Sequence, residues 1–288
     1  MNIMMFPGQG SQHSGMGADL FEQYPDYVSL ASSKLGYDVK AICLDPDGTQ
    51  LNETYYTQPL LYLVCCLAYL NQVLRPDLLI GHSLGLYAAL FASGMIDFEQ
   101  GLTLVEKRAK LMSESSGGGM LAVIGLAAET LNNFLIANDY YDIVIANDNS
   151  PSQQILSGDK QSLAILRSVL TKQFDCRAIS LPVSGAFHSP MMADAAHQYY
   201  TFVADFAFKV PTIPVISSTH GEAITVSHAL EALSFQLTEP VNWRLVIQSL
   251  LKAYPKADFI EVGPGHVLTK LCCEIKQSLE MHATQECG

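Results

Sequence analysis

Gly81-His82-Ser83-Leu84-Gly85 sets one serine between two glycines at the G-x-S-x-G spacing. The apolar run Leu78 to Ile80 precedes it, and a small-residue stretch from Leu84 to about Ser93 follows. In a strand–turn–helix setting this spacing forms a tight elbow. The positions two before and two after the serine must lack bulk, and the turn lifts the hydroxyl out of the sheet. The amide of Leu84 then points toward a reacting carbonyl, where it can hold an oxyanion with help from the helix dipole. The implied chemistry is nucleophilic attack by Ser83 through a covalent intermediate. An inert serine in a glycine-rich turn carries the same five residues, so the flanking strand and helix are what favour an elbow.

A serine at its ordinary pKa is a poor nucleophile and needs a base. Of the eight histidines, His82 is adjacent in the chain, and its side chain is expected to point away from that of Ser83. His188 is the better candidate. It lies in Leu181-Pro182-Val183-Ser184-Gly185-Ala186-Phe187-His188-Ser189-Pro190, where one pattern of elements ends and another resumes. A histidine on a crossing between two units faces the cleft where ligands usually sit. His13, His197, His220, His228, His266 and His282 have no comparable setting.

Positioning these groups takes alternating strands and helices, the signature of an α/β protein. Ile3 to Phe6 reads as a strand running into the loop Pro7-Gly8-Gln9-Gly10-Ser11-Gln12. Tyr62 to Leu74 reads as a buried helix, and Leu78 to Ile80 as a strand. A further helix starts at Asp97, a capping residue with an early acid at Glu99. Gly117-Gly118-Gly119 breaks the pattern. Beyond it, strands at Met120 to Ile124, Ile143 to Ala146, Gln154 to Leu156 and Arg177 to Leu181 enclose helices at Ala128 to Ala137 and Gln161 to Leu170. That order is βαββαβ, the ferredoxin-like unit. Strands at Val215 to Ser217 and Phe259 to Val262 then complete the first unit. The expected architecture is a large α/β-hydrolase-like domain with a short parallel sheet, over 1–118 and 191–288. A small ferredoxin-like domain, 119–190, is inserted into it.

Composition narrows the function classes. Acids outnumber bases by 28 to 16, for a net charge of −12, which argues against a general nucleic-acid binder. The longest apolar run, Leu60 to Leu70, falls short of the ~20 residues that span a bilayer. Cys43, Cys65, Cys66, Cys176, Cys272, Cys273 and Cys287 show no metal-site spacing and read as free thiols in a reducing cytoplasm. No metal site is expected.

In order along almost the whole chain stand Phe6-Pro7-Gly8-Gln9-Gly10-Ser11-Gln12, Thr57-Gln58-Pro59, Gly81-His82-Ser83-Leu84-Gly85, Arg108 with Met112, and Asn147-Asp148-Asn149-Ser150-Pro151 with Gln154 and Gly158. They are followed by Gly185-Ala186-Phe187-His188-Ser189, Gln236-Leu237 with Pro240-Val241 and Trp243, and Glu261-Val262-Gly263-Pro264-Gly265. This set resembles the malonyl-CoA:acyl-carrier-protein transacylase family, which includes acyltransferase domains of polyketide synthases. The resemblance implies that Ser83 is acylated, that His188 is its general base, and that Gln236 orients His188. It implies an oxyanion hole from the amides of Gln9 and Leu84. Arg108 would hold the malonyl carboxylate, a task for which a guanidinium fork is suited. Gln58, Phe187 and Asn149 would also bind substrate, Phe187 leaving little room for an α-methyl branch.

Malonyl-CoA and an acyl carrier protein, or polyketide synthase carrier domains, are the implied partners. No bound cofactor is implied; the enzyme uses a coenzyme A thioester and a phosphopantetheinylated carrier. A monomer serving polyketide or fatty-acid biosynthesis is expected. Carriers are generally acidic, so docking on this acidic chain would need a local basic patch, for which Lys160, Arg167, Lys172 and Arg177 are the candidates. Two positions depart from the family pattern: Leu86 stands where Glu is usual, and Ala109 where Gly is usual. The alternative activity is an acyl-carrier hydrolase using the same Ser83 and His188. A carrier-docking scaffold with a relic site is a third reading, and it would not need Ser83, His188, Arg108 and Gln236 together.

Overall fold

A computed structural model describes residues 1–286, with side chains through residue 281. Cys287 and the side chain of His282 lie outside the described residues. The fold is mixed α/β with one parallel and one antiparallel sheet.

The parallel sheet holds β1 (Asn2–Phe6), β2 (Leu78–Gly81), β7 (Val215–Ile216) and β8 (Asp258–Glu261) in the order β7-β2-β1-β8. β1 is apolar along nearly its whole length because both faces are covered, as central parallel strands require. Its alternate residues serve opposite layers. Met4 and Phe6 join a core with α4 (Thr54–Leu70), α5 (Gly85–Ala92), α6 (Phe98–Ser113) and α9 (Ala193–Val203). Ile3 and Met5 join a second core with α11 (Trp243–Ala253) and α12 (Val267–Glu286). The shorter helices α1 (Ala18–Phe21), α2 (Pro25–Leu35) and α3 (Val39–Leu44) pack near α4, and α10 (Ala229–Phe235) packs on α9.

The antiparallel sheet holds β3 (Gly118–Ile124), β4 (Ile143–Ser150), β5 (Gln153–Asp159) and β6 (Arg177–Ser180) in the order β4-β5-β3-β6. α7 (Ala128–Ala137) and α8 (Lys160–Gln173) cover one face and close a third core. The antiparallel sheet is tied to α11 and the segment before it by main chain and by charge. The Asp148 amide donates to Val241 O at 2.9 Å, and the Val241 amide donates to Ala146 O at 2.8 Å. Arg244 Nε and Nη2 then grip the Asp148 carboxylate at 2.7–3.1 Å.

One local expectation shifts. The helix expected from Tyr62 begins at Thr54, runs through Pro59 and stops at Leu70. α6 starts as expected at Asp97, whose carboxylate accepts from the Gln100 amide while Gln100 Oε1 accepts from the Asp97 amide. Leu86 and Ala109 are both buried, Leu86 within the α4–α6 core. The six cysteines among the described residues are unpaired; Cys43, Cys65, Cys66 and Cys272 are buried. Among the described residues no helix is long and apolar enough to cross a membrane.

Candidate active site

Ser83 occupies the turn between β2 and α5 with φ 50°, a left-handed backbone that few side-chain-bearing residues adopt. The glycines beside it are forced by contact. A methyl on Gly81 would overlap the backbone of Gly85, and one on Gly85 would overlap the Phe6 carbonyl. The loop after β1 is thus pressed against the elbow.

Ser83 Oγ lies 2.8 Å from His188 Nε2. His188 also has a left-handed backbone, φ 58°. Its Nδ1–H donates to Gln236 O at 2.7 Å and Glu239 O at 3.1 Å. Carbonyls only accept, so Nδ1 holds the hydrogen and Nε2 is left to take the serine proton. Gln236 was expected to orient His188 in the place an Asp holds in a triad. Its main-chain carbonyl does the orienting instead. That carbonyl lies at the C-terminal end of α10, where helix geometry leaves carbonyls without helical partners. The Gln236 side chain donates to Ser83 O at 3.1 Å and accepts from Arg108 at 3.2 Å. Burial, followed by the charge of Arg108, pushes His188 down to about 3, against the pull of the Gln236 carbonyl.

Arg108, on α6, is 1% exposed. Nη1 donates to Gln58 Oε1 at 2.6 Å, and Nη2 to Ser83 Oγ at 3.1 Å. Its Nε has no partner, and no carboxylate pairs with it among the described residues. Gln58 therefore braces the guanidinium and does not line the cavity. Asn149 and Phe187 do line it, with Gln9, Ser83, Arg108 and His188, around a volume of about 310 Å³. The amides of Gln9 and Leu84 donate to no group among the described residues. Gln9 Nε2 donates to the Thr54 hydroxyl at 3.0 Å, which fixes the loop. Leu86 and Ala109 are absent from the cavity wall.

His82, set aside on sequence grounds, is part of that wall. Its ring does turn away from Ser83: Nε2 lies 2.8 Å from Asn149 Oδ1, and the ring centre lies 5.3 Å from that of Trp243. Asn149 Nδ2 donates in turn to Gln153 Oε1 at 3.0 Å. Gln153 and the Glu239 carbonyl carried no local sequence signal. Among the described residues no group of three or more His, Cys, Asp or Glu is arranged to hold a metal ion.

A buried Ser–His pair beside a guanidinium, at the wall of a cavity, is the equipment of an acyl-transferring enzyme. The acyl transferase domain family matches residues 3–286. The malonyl CoA-acyl carrier protein transacylase BaeC of polyketide biosynthesis in Bacillus velezensis is 42% identical over 285 residues, covering 97% of this chain and 98% of that protein. The polyketide biosynthesis protein PksE of Bacillus subtilis is also 42% identical, but this chain spans only 37% of its length. The crystal structure of the malonyl CoA-acyl carrier protein transacylase from Burkholderia pseudomallei superposes with a TM-score of 0.92 at 38% identity, covering 96% of this chain and 98% of that one. The chain belongs to the acyl transferase family, in its malonyl CoA-acyl carrier protein transacylase branch. BaeC and the Burkholderia pseudomallei protein bear transacylase names, and the hydrolase alternative gains no support from the relatives.

Proposed function

We propose that this chain moves a malonyl group from malonyl-CoA to the phosphopantetheine thiol of an acyl carrier protein, through an ester on Ser83, in polyketide or fatty-acid biosynthesis. Arg108 carries the reading. A guanidinium buried without a carboxylate is costly, and one lying 3.1 Å from the nucleophile can be matched by an acyl group that brings its own carboxylate.

In the first step Ser83 Oγ attacks the thioester carbonyl while its proton passes to His188 Nε2. The amides of Gln9 and Leu84 hold the resulting oxyanion. Coenzyme A leaves as its thiol, taking the proton from His188. In the second step the carrier thiol gives its proton to His188 and attacks the ester, and Ser83 recovers its proton. Gln58 and Gln236 brace Arg108, while Phe187 and Asn149 bound the acyl and thioester space. The steps use side chains and main chain alone, without a resident cofactor or metal. The site of action is the cytoplasm and the working unit a monomer. We further read the parallel sheet and its helices as an α/β-hydrolase-like domain, 1–118 and 191–288, and 119–190 as a ferredoxin-like insert; the βαββαβ element order supports the second reading.

Intact-protein mass spectrometry after mixing with malonyl-CoA tests the mechanism. A lasting malonyl adduct is expected, discharged on addition of holo carrier and absent in Ser83→Ala. Rapid return to free enzyme without carrier would sink transfer in favour of hydrolysis.

A further inference from the structure

Behind Arg108, on the side away from the cavity, lie two tyrosines with no exposed surface, Tyr87 and Tyr199. Neither lines the cavity. Tyr87 belongs to α5, the helix that opens after Ser83. Its ring centre lies 5.8 Å from Arg108 Cζ, in range of a cation–π contact. A hydrogen bond of 2.8 Å joins the two hydroxyls, and the Tyr199 hydroxyl also reaches Leu104 O at 3.1 Å. A hydroxyl has one hydrogen, and a carbonyl can only accept. Tyr199 shares its one hydrogen between the Tyr87 oxygen and Leu104 O, so Tyr87 accepts from Tyr199 and keeps a second lone pair for Arg108. Leu104 lies one turn before Arg108 on α6. The pair therefore links α5 after the nucleophile, α6 with the guanidinium, and α9 after the base.

Two buried hydroxyls are expensive furniture if packing alone is needed, because phenylalanine would fill the same space. Arg108 explains them. Its Nη groups are held by Gln58 and Gln236, both neutral, and its Nε has no partner among the described residues. Burial works against the charge of Arg108, and a hydrogen bond to the Tyr87 oxygen works for it. Burial likewise raises the Tyr87 phenol, and Arg108 pulls it back.

We infer that Tyr87, locked by Tyr199, is a positioning residue that aims and supports the Arg108 guanidinium, and so determines the preference for carboxylate-bearing acyl groups. This rests on the reading of Arg108 as the carboxylate's partner. Tyr87→Phe removes one oxygen and keeps the ring. The kcat/KM for malonyl-CoA is then expected to fall roughly tenfold, the scale of a lost hydrogen bond to a charged group, with that for acetyl-CoA unchanged. In an Arg108→Ala background the same substitution should have no further effect on malonyl-CoA, since its action runs through Arg108. Tyr199→Phe should shift selectivity in the same direction and supplies the readout if Tyr87→Phe does not fold. Equal losses on both acyl groups, or full additivity with Arg108→Ala, would overturn the inference and leave the tyrosines as packing. If Arg108→Ala itself leaves malonyl–acetyl selectivity intact, the underlying reading of Arg108 fails instead.

Discussion

His188 meets Ser83 as a neutral imidazole whose tautomer is set by carbonyls, and this has consequences for mutation and for pH. Because a main-chain carbonyl orients the ring, Gln236→Ala keeps the orientation and loses the bonds to Ser83 O and Arg108. Its kcat should fall roughly tenfold to a hundredfold. His188→Ala removes the base itself, and its loss should reach ~10²–10⁴. Steady-state rates on malonyl-CoA separate the two. The folded pKa of His188, about 3, lies below its unfolded value, so between those values the unfolded chain binds the extra proton. Stability from this group is complete above pH ~6.5 and declines as pH falls toward 3. Unfolding midpoints from pH 7.5 down to 5 should therefore fall less steeply in His188→Gln than in the wild type. A parallel fall would contradict the assignment.

At the scale of elements, the elbow is a steric device. Gly85→Ala drives a methyl into the Phe6 carbonyl and should cost about 3 kcal/mol or more, with acylation lost even where the protein stays folded; thermal unfolding and adduct formation measure the two effects. Residues show how much of this was legible. The elbow could be read because its spacing, strand and helix are contiguous, and the periodicity of β3 through β6 is local in the same way. What could not be read depends on distant chain. No short pattern announces that the carbonyls of Gln236 and Glu239 converge on His188, since that follows from how α10 ends. Arg108 resembles a surface residue between Lys107 and Lys110 until the packing of α4 and α5 buries it. His82 was discounted by adjacency to Ser83, yet a turn this tight brings its ring to Asn149 on the other sheet. Leu86 looked like a change near the chemistry, and it fills the core instead.

At the scale of the whole molecule, the Val241 bridge and the Arg244–Asp148 pair tie the antiparallel sheet to the start of α11. With a net charge of −12, docking of an acidic carrier depends on local positive charge. Lys160, Arg167, Lys172 and Arg177 are all exposed on the antiparallel-sheet unit. Reversing Arg167 and Lys172 to Glu should raise the KM for carrier severalfold and leave acylation by malonyl-CoA unaltered. An unchanged KM would remove this patch from consideration.

The cysteines bear on a different matter, the fidelity of the acyl group's destination. An ester on Ser83 is made to be taken by a thiol, so the protein's own thiols are its nearest competitors. Among the described residues no cysteine lines the cavity. Burial pushes Cys43 up to about 12 and Cys272 up to about 11, and raises Cys65 further, so these sulfurs are poor in thiolate at neutral pH. Cys65 Sγ and the Pro7 ring both pack against Gly263, and of these Pro7 belongs to the cavity wall. If Ser83 carries the acyl group as proposed, no described cysteine stands at the cavity wall to compete with the visiting thiol.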